Sequence, residues 1–174
     1  MTENRRVHLL QRVEPRKKHP YIMRKLPARG APDPVTDRLE QELVSKVAPE
    51  FWLPGERVLH AGSGVHEETA EVLGRGGGEG ALYLTTHRVI FRFNHPIGQA
   101  TMIAYPKDVI DEITTQWIPL PGMRALLLSV VDPNKDLDFE TRFWVGKVLA
   151  GLIERDWTVT EPFRDPAPGV EYPN

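Results

Sequence analysis

Residue types able to do chemistry come closest together in the run His60-Ala-Gly-Ser-Gly-Val-His-Glu-Glu68. A serine on a nucleophile elbow needs glycine two residues before and after it, and Ala61 and Val65 stand in those places. His60, His66, Glu67 and Glu68 are metal-capable types, but they lack the helical HExxH spacing, and the chain contains no cysteine to assist them. They read as exposed strand and loop residues. The glycine-rich run Gly74-Arg-Gly-Gly-Gly-Glu-Gly80 invites a phosphate-loop reading. A Walker loop needs a lysine for the phosphates and a hydroxyl for magnesium, and neither follows. A dinucleotide fingerprint follows a strand and opens a helix, whereas this run opens a strand. No enzyme, metal site or cofactor is expected.

Charge carries more information. Residues 1–30 hold nine lysines and arginines against Glu3 and Glu14, a net charge of +7. The remaining 13 basic and 22 acidic residues leave −9 on the rest of the chain. The cationic set Arg5, Arg6, Arg12, Arg16, Lys17, Lys18, Arg24 and Lys25 is interleaved with Val7, Leu9, Leu10, Tyr21, Ile22 and Met23. That mixture favours docking on an anionic surface of a protein, a bilayer or nucleic acid; folding back onto the acidic body is the alternative. Arg75, Arg88 and Arg92 are the domain's own ligand candidates. Arg88 and Arg92 share one strand face and could flank a groove, or pair with acidic neighbours across the sheet.

These residues need a scaffold. The stretch Gly80-Ala-Leu-Tyr-Leu-Thr-Thr-His-Arg-Val-Ile-Phe-Arg-Phe93 has period-two alternation. It reads as a half-buried antiparallel pair broken near Thr86-His87, with Leu82, Leu84, Val89, Phe91 and Phe93 inward. Asp33 caps and Pro34 opens an amphipathic helix over 33–50, with Val35, Leu39, Leu43 and Val47 as its stripe and Asp37, Glu40 and Glu42 facing water. Gly62 and Gly64 read as a bend or bulge, and Val65–Leu73 as an acidic strand. Further strands are expected at Gln99–Tyr105, Val109–Trp117, Arg124–Val131 and Asp136–Glu140. A last helix from about Thr141 places Val145, Val148, Leu149 and Leu152 on its apolar stripe. The basic arm covers 1–32. A Pro-rich tail covers 157–174, with Trp157 and Phe163 as its anchors.

Apolar content of 40% and charged content of 26% fit a folded globular chain of 174 residues. No apolar run approaches the roughly 18 residues a membrane span needs. No secretory leader is expected, because no apolar segment follows the basic N-terminus. A cytoplasmic location, peripheral to a membrane in the lipid-binding alternative, fits these features.

Four segments resemble the GRAM and bacterial pleckstrin-homology-like (PH-like) family. Leu53-Pro-Gly-Glu-Arg-Val-Leu59 resembles its "pGE-x-v-l" opening, and Gly80–Phe91 its "G-x-L-y-L-T-x-x-R-l-i-F" hairpin. Ile103-Ala-Tyr-Pro-Lys-Asp-Val-Ile110 resembles the strand that follows, and Phe139–Trp144 the strand-to-helix close. The resemblance implies a PH-like domain over 51–156: an antiparallel β-barrel or sandwich of about seven strands capped by a C-terminal helix. Members of that family are mostly adaptors. Phosphoinositide-binding members carry several cations beside the loop after the first strand, whereas this chain offers only Arg75 there, among Glu67, Glu68, Glu71 and Glu79. The expected function is a non-catalytic adaptor docking on a protein partner through the arm and the sheet surface. Anionic membrane lipid is the second reading and nucleic acid the third.

Overall fold

The computed structural model describes residues 26–74, 77–94, 98, 100–159 and 165–173. Helix α1 spans Pro34–Lys46, followed by a 3-10 turn at Pro49–Phe51. Strand β1 (Val58–His66) runs directly into helix α2 (Glu67–Leu73). Then come β2 (Glu79–Thr85), β3 (Arg88–Asn94), β4 (Ala100–Pro106), β5 (Ile110–Trp117), β6 (Met123–Asp132) and β7 (Leu137–Gly146). Helix α3 (Lys147–Asp156) closes the order. The seven strands form one antiparallel sheet in the order β4-β3-β2-β1-β7-β6-β5, so β4 and β5 are its edges and the sheet does not close. This is the seven-stranded, helix-capped antiparallel architecture expected from the sequence.

The sheet curls around its inner face. Phe91 and Phe93 of β3, Ile110 and Ile113 of β5, Leu126 and Leu128 of β6, and Phe143 of β7 share one apolar cluster. Leu149, Ala150 and Ile153 of α3 complete it. Ile110 and Ile113 both reach inward despite their odd spacing because the β5–β6 register shifts between Ile110 and Glu112. An extra residue in one strand resets its alternation.

The outer face of the central hairpin is buried as well. Tyr83, Ile90 and Ala61 lie with Leu39, Leu43 and Val47 of α1 and with Trp52 in a second cluster. The half-buried hairpin read from alternation is thus covered on both sides, because α1 lies across it. Asp33 caps α1 as its sequence predicts, accepting from the Val35 N–H at 3.1 Å. The stripe is rotated from the expected one. Val35 is 46% exposed, while Thr36 and Glu40 are fully buried.

Glu40 is buried because it holds the C-terminal tail. Its carboxylate accepts from the Ala167 N–H at 3.2 Å and from the Tyr172 hydroxyl. Tyr172 also accepts from the Val58 N–H at 2.9 Å and stands edge-on to Trp52. Of the two expected tail anchors, Trp157 packs against the inner core and Phe163 lies outside the described residues.

Two element assignments differ from expectation. Residues 67–73 form α2 and not a strand. Glu67 and Glu68 sit in its first turn, where acidic side chains complement the free N–H groups. The last strand continues to Gly146, so α3 begins at Lys147 and not near Thr141. Thr141, Phe143 and Val145 are buried in strand alternation, which places Val145 on the sheet and off the helix. Gly62 and Gly64 lie within β1 in unbroken pairing with β2; the irregularity falls at Val58–His60.

If α1 is integral to the core, truncating its fully buried residue must unfold everything less stably together. Leu43→Ala is expected to lower stability by about 2–5 kcal/mol, seen as one cooperative urea transition shifted to lower denaturant. An unshifted transition of the sheet would make α1 a mere appendage.

Candidate functional site

The segment before β1 and the β2–β3 hairpin meet in space, and what they build is a lock. Glu56 and Arg88 form a bidentate pair: Arg88 Nε donates to Oε1 at 3.0 Å and Nη2 to Oε2 at 2.6 Å. Nη2 also donates to the Phe51 carbonyl at 2.8 Å, and the guanidinium lies 4.2 Å over the Phe51 ring. The Thr85 hydroxyl donates to Glu56 at 2.7 Å and accepts from the Arg88 N–H at 2.8 Å. The Leu53 N–H donates to the other carboxylate oxygen at 3.0 Å. Every oxygen of this buried carboxylate is used, as a buried charge requires. Arg88 is therefore committed to holding the 51–57 segment against the β2–β3 turn.

Arg92 points from β3 toward α1, 3.6 Å from Glu42, with its side chain 15% exposed. The two arginines that share a strand face are both paired with carboxylates. Arg75 and the cationic set Arg5 to Lys25 lie outside the described residues. The last part of the arm, from Leu26, rests on α3. Leu26 lies against Gly151, the Pro27 carbonyl accepts from Arg155 at 2.9 Å, and Arg29 sits 3.3 Å from Asp156.

Asp156 is the second internal hub. It is buried, receives Arg155 at 2.9 and 2.8 Å, and lies 2.9 Å from His60 Nε2. Burial pushes its carboxyl up, but the hydrogen bonds from Arg155 and His60 outweigh that and hold it below the ordinary value. Burial brings the nearby Lys107 down to about 8, with Asp156 acting the other way. His66 is enclosed, 2.6 Å from the Thr69 hydroxyl and 2.9 Å from that of Thr141, with its ring tilted against Phe143 at 4.8 Å. Burial lowers its pKa against the opposing charge of Glu68. Both histidines are thus internal supports and not exposed residues. Among the described residues, no three histidine, aspartate or glutamate side chains gather to hold a metal.

Among the described residues, a cleft of about 790 Å³ lies open beside β1. It exists because β7 pairs with β1 only at Gly64–His66 before turning into α3. On that side Ala61 has α1 for company: the Thr36 hydroxyl accepts its N–H at 3.1 Å. Gly62, Ser63 and Gly64 form the floor, Leu149 and Leu152 one wall, and Met123 one end. Val35 and Val148, 46% and 40% exposed, stand at its lips, with Asp33 and Glu79 on the rim. The glycines let α3 and β7 pack closely against β1. A Cβ on Gly62 would lie 2.6 Å from Leu149, and one on Gly64 would lie 2.8 Å from Val145 and 3.1 Å from the Trp144 carbonyl. An apolar recess with a few polar groups has the general character of a ligand site. Sequence reading missed it, although the Gly62–Gly64 pair was its local sign.

No family model matches the chain, and no curated protein matches it. Among solved structures, the Vps36 N-terminal PH domain is similar, with 16% identity, 62% of this chain and 80% of that chain covered, and a TM-score of 0.40.

The Glu56 lock has a pH signature. Burial pushes the carboxyl up, but the hydrogen bonds of Arg88, Leu53 and Thr85 and the Arg88 charge win, and its pKa falls below the ordinary 4.5. A depressed carboxyl stabilises the fold above its unfolded value and loses that contribution as pH drops through the folded one. Glu56→Gln is expected to cost about 3–5 kcal/mol at neutral pH and progressively less below pH 4.5. Urea unfolding of both proteins across that range reads it; a difference that stays constant with pH would contradict it.

Proposed function

We propose that this chain is a non-catalytic binding module that captures an apolar protein segment in the cleft between α1 and α3. The observation that carries this reading is the cleft itself: glycine floor, aliphatic walls, and two exposed valines at its mouth. Exposed valines on facing helices bury apolar area when a ligand fills the space between them, which is the main driving force for such association. Asp33 and Glu79 on the rim favour a ligand with lysine or arginine beside its apolar residues. The net charge of +7 over residues 1–30 adds attraction toward an acidic region of the same partner. The sheet's central arginines contribute little, since Glu56 and Glu42 already hold them.

Peptide-display selection on the intact chain tests this. Enriched peptides are expected to carry two or more apolar residues next to a cation. Their affinity should fall about tenfold or more in Val148→Asp, with the melting temperature of this exposed-site variant near that of the wild type. Peptides that bind both proteins equally would place recognition elsewhere.

A further inference from the structure

We infer that the turn joining β5 to β6 is an interfacial anchor for an anionic bilayer. Trp117 is 71% exposed and Leu120 44% exposed, two of the larger apolar side chains on the surface. They stand close together in Trp117-Ile-Pro-Leu-Pro-Gly-Met123, at the end of an edge strand. The turn is firmly built. The Met123 N–H donates to the Leu120 carbonyl at 3.1 Å, and the Lys147 N–H at the start of α3 donates to the Gly122 carbonyl at 2.9 Å. Trp117 and Leu120 therefore project from a fixed support.

Three features select a bilayer. First, Pro119 and Pro121 carry no N–H, and the Leu120 carbonyl is already bonded, so the tip takes few unsatisfied backbone groups into an apolar layer. Second, cations lie beside the apolar tip. Arg124 is the cross-strand partner of Trp117, and the exposed Lys147 is tied to Gly122. Trp at the headgroup level with basic residues around it is the composition that interfaces favour. The acidic residues of the same strand, Asp111 and Glu112, sit at its other end, roughly 17 Å away. Third, the tip is short. A protein interface of ordinary stability buries about 800 Å² on each partner, more than two projecting side chains supply. A bilayer needs no complementary pocket, and its anionic lipids add salt-sensitive attraction for nearby lysine and arginine. This surface differs from the cleft lips at Val35 and Val148 and stands or falls without them.

The absence of cysteine makes the test clean. Trp117→Cys in the full chain is labelled with an environment-sensitive nitrobenzoxadiazole dye, and the exposed Asp138→Cys, near the start of β7 beside the opposite end of β6, serves as the comparison site. Each is titrated with phosphatidylcholine vesicles with and without phosphatidylglycerol. A several-fold rise and blue shift at position 117 with the anionic vesicles only is expected. It should be abolished by Leu120→Asp and by high salt, with position 138 silent. Silence at 117 while the protein still sediments with vesicles would assign attachment to another part of the chain and overturn the inference. An equal response at 138 would overturn it too. A concentration-dependent change at 117 without vesicles would mark a protein contact there and reject the bilayer.

Discussion

The constraint on which this structure depends is the burial of the central hairpin on both faces. A sheet that curls around one core leaves Tyr83 and Ile90 on its outside, and both are essentially inaccessible to water. Helix α1 is what covers them, through Leu39, Leu43 and Val47. Once α1 lies there, its first turn falls beside β1. Thr36 meets the backbone of Ala61, and Val35 is turned outward to face α3. The cleft is a by-product of α1 covering the hairpin and the first part of β1 while the Gly62–Gly64 stretch, paired with β7 only from Gly64 on, stays open.

Buried charge serves the joints of the molecule. Glu56 with Arg88 fixes the segment before β1 to the β2–β3 turn. Glu40 fixes the C-terminal tail, and Asp156 joins the end of α3 to His60 and to the strap at Arg29. Each carboxylate collects hydrogen bonds from segments distant in sequence. Such pairs add less net stability than their Coulomb attraction implies, because both ions leave water. Removing one partner strands the other, so each joint admits few alternatives. Groups spent this way are engaged in holding the fold together.

Much of the fold was legible in the sequence, where its causes are local. Alternation marked β2 and β3, and the Asp33-Pro34 pair marked the start of α1. Failures came where one residue fits two patterns or where partners are remote. Val145 continues the strand period of Thr141 and Phe143, yet also begins the helical spacing of Val148 and Leu149, so the boundary of α3 was read too early. Glu67 and Glu68 look like poor strand residues because they open a helix. Glu40 reads as solvent-facing until the chain returns 127 and 132 residues later with Ala167 and Tyr172. The site was less legible than the fold. Arg88 and Arg92 were visible as cations, but their carboxylates were not. The cleft joins the start of α1, the middle of β1 and the face of α3, which no local pattern connects.

The most direct measurement is amide chemical-shift mapping of the intact chain as a bound apolar–basic peptide is titrated in. Capture between α1 and α3 predicts the largest changes at Gly62, Ser63 and Gly64 and along Val148 to Leu152. Changes confined to α2, β4 or the β6–β7 turn, with the β1 glycines unmoved, would contradict it.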